Sequence, residues 1–354
     1  MKIVVLGGGI STERHVSLVT STSVCKALRS LGHKAIFVDM FFGLENYEGD
    51  LADVFDAEDG LCGNVAIEKT APDIESVINS RKLRSKSRIG DRVLEVCSLA
   101  DCVFLGFHGA DGEDGKIQAV LDLMGITFTG SDYLGSAMAM NKAVAKKIME
   151  YSGILTPSWS EIHYEPEDVD EVAENLPVPC VVKVTGGGSS IGVFLPDTKD
   201  ELRDALKKAR KISSNVMIEE KIRGREMTVP VLDNRYLSAI EIIPPEGASF
   251  NYVAKYQSGS EGAREVCPAN ITVEEQRKMG EAALKLHKAL GLSVYSRTDF
   301  ILDDTGNPWC LEINTLPGMT PNSLIPKSAA VEGLSYEELC EKIVELSVAE
   351  RKMN

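Results

Sequence analysis

The 354-residue sequence lacks the features that would place it in a membrane, on a nucleic acid or around a zinc ion. No apolar run approaches the roughly 18 residues of a membrane-spanning helix, and the apolar run in MKIVVLGGG is too short for a secretory signal. Acidic residues outnumber basic ones by 53 to 38, which argues against a broad basic surface for DNA or RNA. The eight cysteines show no CxxC spacing, which predicts buried free thiols. We expect a soluble, cytoplasmic protein with neither a membrane nor a nucleic-acid partner.

Two glycine-rich stretches lack the signatures of the common nucleotide-binding loops. The stretch KVTGGGSSIGV (183–193) is not followed by GK[ST], and Lys183 precedes the glycines instead of following them. The GGG at 7–9 does not continue as GxGxxG, because Thr12 holds the place of the third glycine. Both a P-loop and an NAD-binding motif are therefore disfavoured. The 183–193 stretch still offers many backbone N–H groups to an anion, which predicts a phosphate-binding loop of another kind.

Predicted strands and helices alternate along the chain, but not as one long βαβ series. A strand, a glycine turn, a helix stopped by Gly32 and a second strand open the chain. Residues 43–91 form a peripheral excursion, in which SRKLRSKSR (80–88) is expected to be solvated. One helix is predicted to contain residues 137–153. This alternation fits three small α/β or α+β domains better than a single sheet.

The most informative stretch is a predicted antiparallel hairpin, VYSRTDFIL and WCLEIN joined by DDTGNP. Asp299 on one strand, and Glu312 and Asn314 on the next, put three oxygen ligands on one face. Mg²⁺ prefers a few carboxylates together with phosphate oxygens, so this set predicts a magnesium site beside a nucleotide. An ordinary polar strand face is the alternative. Arg297 on the same face favours the metal site, because a cation beside this set of ligands suggests that a negatively charged group binds among them.

Three lysines lie beside predicted loops or ligand-facing elements: Lys142, Lys183 and Lys255. Each lysine taken singly is typical of a solvated surface. Together they fit a site that neutralises a transferring phosphoryl group.

Seven motifs stand in order along the chain: ERHVS (13–17), FHGADGEDG (107–115), VVKVTGGGSSIG (181–192), EEKIRGRE (219–226), YVAKY (252–256), SRTDF (296–300) and EINTLPGMTPNSL (312–324). This set closely resembles the D-alanine:D-alanine ligases of the ATP-grasp superfamily. The resemblance implies an α/β (α+β), three-domain ATP-grasp fold, with an N-terminal open parallel-sheet domain followed by two ATP-clamping domains. The implied domains are 1–136, 137–226 and 227–354.

The resemblance also implies how the nucleotide binds. In this family ATP lies between two antiparallel sheets, and the glycine-rich loop closes over its β- and γ-phosphates. Two Mg²⁺ (or Mn²⁺) ions would be held by Asp299, Glu312 and Asn314. The residues implied to bind ATP are Lys142, Lys183 and Lys255 at the phosphates, Ser190 in the loop, Glu219, Glu220 and the N–H of Ile222 at the adenine, and Glu226 at the ribose.

A further set of residues is implied to handle the amino acids. Glu13 would take the ammonium of the first D-alanine and, with Ser189 and Tyr256, latch the loop shut; a helix N-terminal charge is the alternative for Glu13. His108 would lie near the first carboxylate, although a lone histidine is more often structural. The carboxylate of the second D-alanine is implied to be bound by Ser323 and the N–H of Leu324. The tetrahedral oxyanion is implied to be bound by Arg297 and the N–H of Gly318.

The implied reaction is the ligation of two D-alanines through a D-alanyl phosphate, for the synthesis of peptidoglycan precursors and so for cell-wall biogenesis and cell shape. Family members are commonly homodimers. Two alternatives stay open: a ligase whose acceptor is D-serine or D-lactate, and an inactive nucleotide-binding regulator of the same fold. Tyr256 and Leu324 favour D-alanine, because related D-lactate ligases usually carry His, and D-serine ligases commonly Arg, at these positions. The presence of all three metal ligands disfavours the regulator.

Tyr256→His is expected to raise ester formation with D-lactate relative to dipeptide formation, and to make the ratio depend on pH, since histidine titrates near neutrality. The measurement is the product ratio by mass spectrometry, with D-alanine and D-lactate supplied together at several pH values. Tyr256→Phe separates the loss of tyrosine from the gain of histidine. A product ratio that stays unchanged across pH would contradict the expectation.

Overall fold

The structure is a computed structural model that describes residues 1–63, 72–185, 192–245 and 263–352. The elements of its first part are β1 (Lys2–Gly7), α1 (Arg14–Ser30), β2 (Lys34–Asp39), α2 (Ile74–Ser80), α3 (Val93–Ser98), β3 (Cys102–Leu105) and α4 (Lys116–Leu123). The three strands are parallel and follow the order β2-β1-β3, which confirms the predicted open parallel sheet. The apolar residues of β1 are fully buried, as is typical of a parallel strand covered on both faces.

In the described part of the excursion at 43–91, one basic residue is packed more closely than the charge pattern suggests. The expectation that 80–88 is solvated holds for its other residues but is wrong at Arg81, which is 1% exposed. The Arg81 guanidinium lies 4.5 Å from the ring centroid of Phe41 and donates a hydrogen bond to the carbonyl oxygen of Ser87 at 2.7 Å. An aromatic face and a carbonyl oxygen replace part of the hydration that arginine loses on burial.

The helix predicted over 137–153 is two helices in the structure, α5 (Tyr133–Met140) and α6 (Lys142–Tyr151). Asn141 separates them with an extended backbone, and its side chain accepts a hydrogen bond of 3.1 Å from a backbone N–H in the first turn of α6. Because this bond satisfies a helix N–H that has no partner within the helix, asparagine favours a new helix start over continuation. Lys142 is therefore the first residue of a helix.

The second sheet is antiparallel. Its part of the chain contains β4 (Trp159–His163), α7 (Val169–Asn175), β5 (Cys180–Val184), β6 (Val193–Phe194), α8 (Lys199–Arg210) and β7 (Asn215–Glu220). The strand order is β4-β7-β5-β6. The predicted capping box of Thr198 and Glu201 begins α8. The two central strands, β5 and β7, carry Lys183 and Glu219 at diagonal positions, because Glu219 is paired with Val181 and Lys183 with Met217.

The third sheet is also antiparallel and larger. Its elements are β8 (Arg225–Leu232), β9 (Arg235–Tyr236), β10 (Ile240–Ile243), β11 (Arg264–Val266), α9 (Val273–Ala289), β12 (Tyr295–Leu302), β13 (Pro308–Asn314), α10 (Leu324–Val331) and α11 (Tyr336–Arg351). The strand order is β11-β10-β8-β12-β13, with β9 paired to β8. Strands β12 and β13 form the predicted hairpin. The predicted capping boxes begin α9 and α11.

Two hydrophobic cores extend across the predicted domain boundaries. Leu339 and Ile343 of α11 share a core with the first sheet, although they come last in the chain. Ala145 and Met149 of α6 share a core with the third sheet. The division of the chain into three domains stays a prediction.

The cysteines are free thiols, as predicted, and all but Cys267 are buried. Within the part of the chain that the structure describes, no helix is both long enough and apolar enough to cross a membrane.

Asn141→Ala is expected to lower the free energy of unfolding by about 1 kcal/mol, because the N-cap hydrogen bond of α6 is lost. Urea unfolding followed by circular dichroism measures the change. Asn141→Asp keeps an acceptor at the same position and should stay close to the wild type. An alanine variant as stable as the wild type would show that the side chain does not stabilise the helix start.

Candidate active site

Asp299 lies at the centre of a hydrogen-bonded cluster on the β12–β13 hairpin. The strand register pairs Asp299 with Glu312, and Arg297 with Asn314. Arg297 donates from Nε and Nη2 to the two oxygens of Asp299, each at 2.9 Å. Asn314 Nδ2 donates to Asp299 Oδ2 at 3.2 Å, and Thr228 Oγ1 donates to Asp299 Oδ1 at 2.6 Å. The structure thus brings together all four hairpin residues that the sequence singled out.

The donor chemistry of this cluster fits a magnesium ion. Two carboxylates and one amide oxygen are hard oxygen ligands, and Mg²⁺ binds to such ligands while phosphate or water completes its shell. The side chains of Asp299 and Glu312 are 14% and 33% exposed, so the pair is accessible to a ligand. Among the described residues, no group of three or more His, Cys, Asp and Glu side chains could hold a metal. The hairpin differs because an asparagine supplies its third oxygen.

Helix α6 brings one lysine to each of the two antiparallel sheets. Lys142 Nζ lies 3.3 Å from Glu312 Oε2 on the third sheet. Lys146 Nζ, one helical turn later on the same face, lies 2.7 Å from Glu219 Oε1 on the second sheet. Lys142 was predicted from the sequence and Lys146 was not. The available signal for Lys146 was its spacing of four residues from Lys142.

Glu219 is buried between two ammonium groups. Its side chain is 1% exposed, Oε1 contacts Lys146, and Oε2 forms an ion pair with Lys183 of β5. Burial alone would raise the pKa of the Glu219 carboxyl, but the charges of Lys183 and Lys146 outweigh burial and hold the pKa below its usual value. The carboxylate is therefore charged at neutral pH. Its implied contact with adenine stays a prediction.

The two lysines that share Glu219 differ in their own titration. Burial lowers the pKa of Lys183, but Glu219 and then Glu312 more than reverse this effect, so its pKa lies above the usual value. At Lys146 the effect of burial is larger than the effect of the Glu219 charge, so the pKa of Lys146 lies below its usual value. Because Glu312 acts on Lys183, the cluster around Glu219 and the hairpin cluster lie within electrostatic reach of each other.

The other residues implied at the nucleotide are only partly described. Glu220 is exposed at the end of β7, while Ile222 and Glu226 are half-buried in the connection to β8 and in its first residues. Ser190 and Lys255, also implied at the nucleotide, lie outside the described residues, as do Ser189 and Tyr256, which were implied to hold the loop to Glu13.

Glu13 and His108 lie beyond the carboxyl ends of the neighbouring parallel strands β1 and β3, where open α/β sheets bind ligands. Ser11 Oγ donates to the carbonyl oxygen of His108 at 2.7 Å, which ties the two loops together. A Cβ at Gly109 would lie 2.8 Å from Glu13 Oε2, so the carboxylate lies against this loop. His108 Nε2 lies 2.9 Å from Thr20 Oγ1. The structure thus brings Glu13 and His108 together, and it also gives His108 a partner within the protein.

Gly318, Ser323 and Leu324 meet at the start of α10. Ser323 is the N-cap residue of this helix and Leu324 is its first residue. Ser323 Oγ accepts a hydrogen bond from the backbone N–H of Thr320 at 3.1 Å. A Cβ at Gly318 would lie 2.9 Å from Ser323 Oγ, so the backbone at 318 passes close to this hydroxyl. The N–H groups of a helix start favour an anion, such as a carboxylate.

Family profiles match nearly the whole chain. The profile described as "D-ala D-ala ligase N-terminus" matches residues 2–131, and the one described as "D-ala D-ala ligase C-terminus" matches residues 141–345. The D-alanine--D-alanine ligase of Pediococcus pentosaceus is 40% identical to this chain over 345 residues, which cover 97% of each chain.

Solved structures of full length have the same fold. The D-alanine--D-alanine ligase from Bacillus anthracis complexed with ATP is 29% identical, with a TM-score of 0.72, and the match covers 100% of this chain and 99% of that one. The VanG D-Ala:D-Ser ligase from Enterococcus faecalis is 28% identical, with a TM-score of 0.74 and coverage of 98% and 99%. The fold is that of the ATP-grasp enzymes, as the sequence predicted, and the protein is an ATP-dependent ligase. Within that class, the chain belongs to the D-alanine–D-alanine ligase family.

The buried Glu219 predicts a pH dependence of stability. Because its folded pKa lies below the ordinary value of 4.5, the unfolded state binds more protons, and the stability that Glu219 contributes is lost as the pH falls through 4.5 towards the folded pKa. Glu219→Gln is expected to lower the free energy of unfolding at neutral pH. The free energy of unfolding of the variant should also fall less steeply than that of the wild type as the pH becomes acid.

The measurement is the free energy of unfolding by urea at pH 7 and at acid pH, for the wild type and the variant. Glu220→Gln, at the exposed neighbouring position, is the control and should decline in parallel with the wild type. An equally steep decline in the Glu219→Gln protein would contradict the role assigned to this carboxylate.

Proposed function

We propose that this protein joins two molecules of D-alanine into D-alanyl-D-alanine while ATP is converted to ADP and phosphate. Family membership over the full length supports this activity. The single observation that carries the proposal is the junction at α6, where Lys142 contacts Glu312 on one antiparallel sheet and Lys183 lies on the other. Cations and carboxylates that meet between two sheets suit a triphosphate with its metal ions.

In this proposal the nucleotide is held by both antiparallel sheets. Asp299, Glu312 and Asn314 hold two Mg²⁺ ions, which supply charge neutralisation at the phosphate oxygens. The residues proposed to contact ATP are Lys142, Lys183, Lys255 and Ser190 at the phosphates, Glu219, Glu220 and Ile222 at the adenine, and Glu226 at the ribose. Their presence in the motifs that the sequence shares with the family supports these roles.

The first chemical step activates the carboxylate of one D-alanine. Glu13 binds its ammonium group, and His108 lies near its carboxylate. A carboxylate oxygen attacks the γ-phosphorus, the bond from phosphorus to the ADP oxygen breaks, and a D-alanyl phosphate forms. Water would hydrolyse this acyl phosphate, so the glycine-rich loop must close during the reaction, with Ser189 and Tyr256 proposed to hold it to Glu13.

The second step forms the peptide bond. Ser323 and the N–H of Leu324 hold the carboxylate of the second D-alanine, whose neutral amine attacks the activated carbonyl carbon. The tetrahedral oxyanion is stabilised by Arg297 and the N–H of Gly318, and each preorganised donor of this kind is worth about 3 to 4 kcal/mol. The carbon–oxygen bond to phosphate then breaks, phosphate leaves and the nitrogen loses its proton.

We also propose the setting in which this reaction takes place. The dipeptide would serve peptidoglycan precursor synthesis in the cytoplasm, and so cell-wall biogenesis and cell shape. The protein is proposed to act as a homodimer. Its chain is proposed to divide into domains at 1–136, 137–226 and 227–354.

D-Serine as the acceptor is the alternative that the sequence left open, and the overall fold does not distinguish it. The VanG D-Ala:D-Ser ligase has a TM-score of 0.74 to this chain, similar to that of the Bacillus anthracis enzyme at 0.72. Leu324 and Tyr256 favour D-alanine, because related D-serine ligases commonly carry Arg, and D-lactate ligases usually His, at these positions. A product assay decides between the two acceptors.

The decisive test supplies the protein with ATP, Mg²⁺ and D-alanine, then adds D-serine or D-lactate, and measures phosphate release and product mass. D-Alanyl-D-alanine is expected as the main product in every mixture. A mixed dipeptide or an ester as the main product would assign another acceptor. Absence of phosphate release would contradict a ligase of this kind.

Glu312→Ala is expected to lower turnover by about 1,000-fold or more, because a ligand that neutralises phosphate charge through the metal is lost. The measurement is phosphate release at saturating ATP and D-alanine. Asp304→Ala is the matched control, since Asp304 is exposed in the turn of the same hairpin. Full activity in the Glu312→Ala protein would remove the hairpin from the proposed metal site.

A further inference from the structure

Lys146 is enclosed by acceptors on three separate segments of the chain. Its ammonium nitrogen lies 2.7 Å from Glu219 Oε1, 2.6 Å from Thr156 Oγ1 and 3.4 Å from the carbonyl oxygen of Cys310. Thr156 Oγ1 in turn donates to the same carbonyl at 2.8 Å. Thr156 and Cys310 accept hydrogen bonds from this ammonium group, and Glu219 forms an ion pair with it. Lys146 therefore joins α6 to the second sheet and to strand β13 of the third sheet.

The charges in this cluster do not balance. Two ammonium groups, Lys146 and Lys183, contact the single carboxylate of Glu219. Glu312 also acts on Lys183, but Glu312 is itself contacted by the ammonium group of Lys142. Buried charges are costly unless they are paired, so an excess positive charge favours an anion nearby. The two lysines differ in access to such an anion, because Lys183 is 8% exposed and Lys146 is 1% exposed. Lys183 is thus the group able to turn towards a ligand, while Lys146 stays in place.

We propose that Lys146 is a positioning residue for nucleotide binding: it remains paired with Glu219 when Lys183 leaves that carboxylate for a phosphate of ATP. This inference rests on the proposed function, in which Lys183 contacts phosphate. Without Lys146, departure of Lys183 would strand a buried, uncompensated carboxylate, which is strongly unfavourable. Lys183 would then stay on Glu219 and bind phosphate poorly. Lys146 thereby sets the affinity for the nucleotide without touching it.

The test measures binding of a non-hydrolysable ATP analogue with Mg²⁺ to the full chain by calorimetry. Lys146→Met is expected to raise the dissociation constant by about tenfold or more, because the exchange of partners at Glu219 becomes unfavourable. Lys146→Arg keeps the charge and should recover part of the affinity. Lys147→Met, at the adjacent exposed position of the same helix, should bind like the wild type.

A double-mutant cycle separates positioning from a general loss of structure. In a Glu219→Gln background there is no buried carboxylate that Lys183 could leave unpaired, so Lys146→Met should change the dissociation constant by about twofold at most. Equal losses in both backgrounds would overturn the inference, and so would wild-type affinity in Lys146→Met itself. If Lys146→Met does not fold, Thr156→Val removes one acceptor while keeping every charge. It should weaken binding in the same direction, and unchanged binding would overturn the proposal.

Failure of the inference differs from failure of the proposed function. A wild-type protein that binds the nucleotide and forms the dipeptide, while Lys146→Met binds equally well, overturns the role of Lys146 alone. A wild-type protein that binds no nucleotide overturns both.

Discussion

The arrangement of the site depends on one buried carboxylate that contacts two ammonium groups. Glu219 belongs to the second sheet, Lys183 reaches it from a neighbouring strand, and Lys146 reaches it from a helix that packs on the third sheet. Since separating buried charges is costly, the contact between Lys146 and Glu219 links the two antiparallel sheets. In the proposed function the triphosphate binds between these two sheets, so this contact would help to set the width of its site.

The two sheets bring opposite charges to this site. The third sheet presents the carboxylates of Asp299 and Glu312. The second sheet presents the ammonium group of Lys183, and Lys142 at the start of α6 contacts Glu312. Carboxylates alone would repel a phosphate, and ammonium groups alone would hold it without favouring its transfer. The combination suits an anionic ligand that binds together with metal cations. This is why the family assignment and the charge arrangement lead to the same class of substrate.

The hairpin could be predicted from the sequence because strand alternation and a short turn together fix which side chains share a face. The start of α6 could not, because good helix formers flank Asn141; its extended backbone and its side-chain hydrogen bond show that a new helix begins. Lys146 was missed for a different reason: a lysine in a helix is usually solvated, and Glu219 lies far away in the sequence. The burial of Arg81 could not be predicted either, because the charged residues around it in the sequence indicate a solvated stretch. Its aromatic partner, Phe41, lies far away in the sequence.

The last helix of the chain completes the core of the first sheet. Leu339 and Ile343 pack there, and Arg351 donates hydrogen bonds to the carbonyl oxygens of Phe128 and Gly130 at 2.7 and 3.0 Å. During translation these residues leave the ribosome after both antiparallel sheets have been synthesised. The core around the N-terminal sheet can therefore be completed only after both antiparallel sheets have been synthesised, so the part made first is closed to water late.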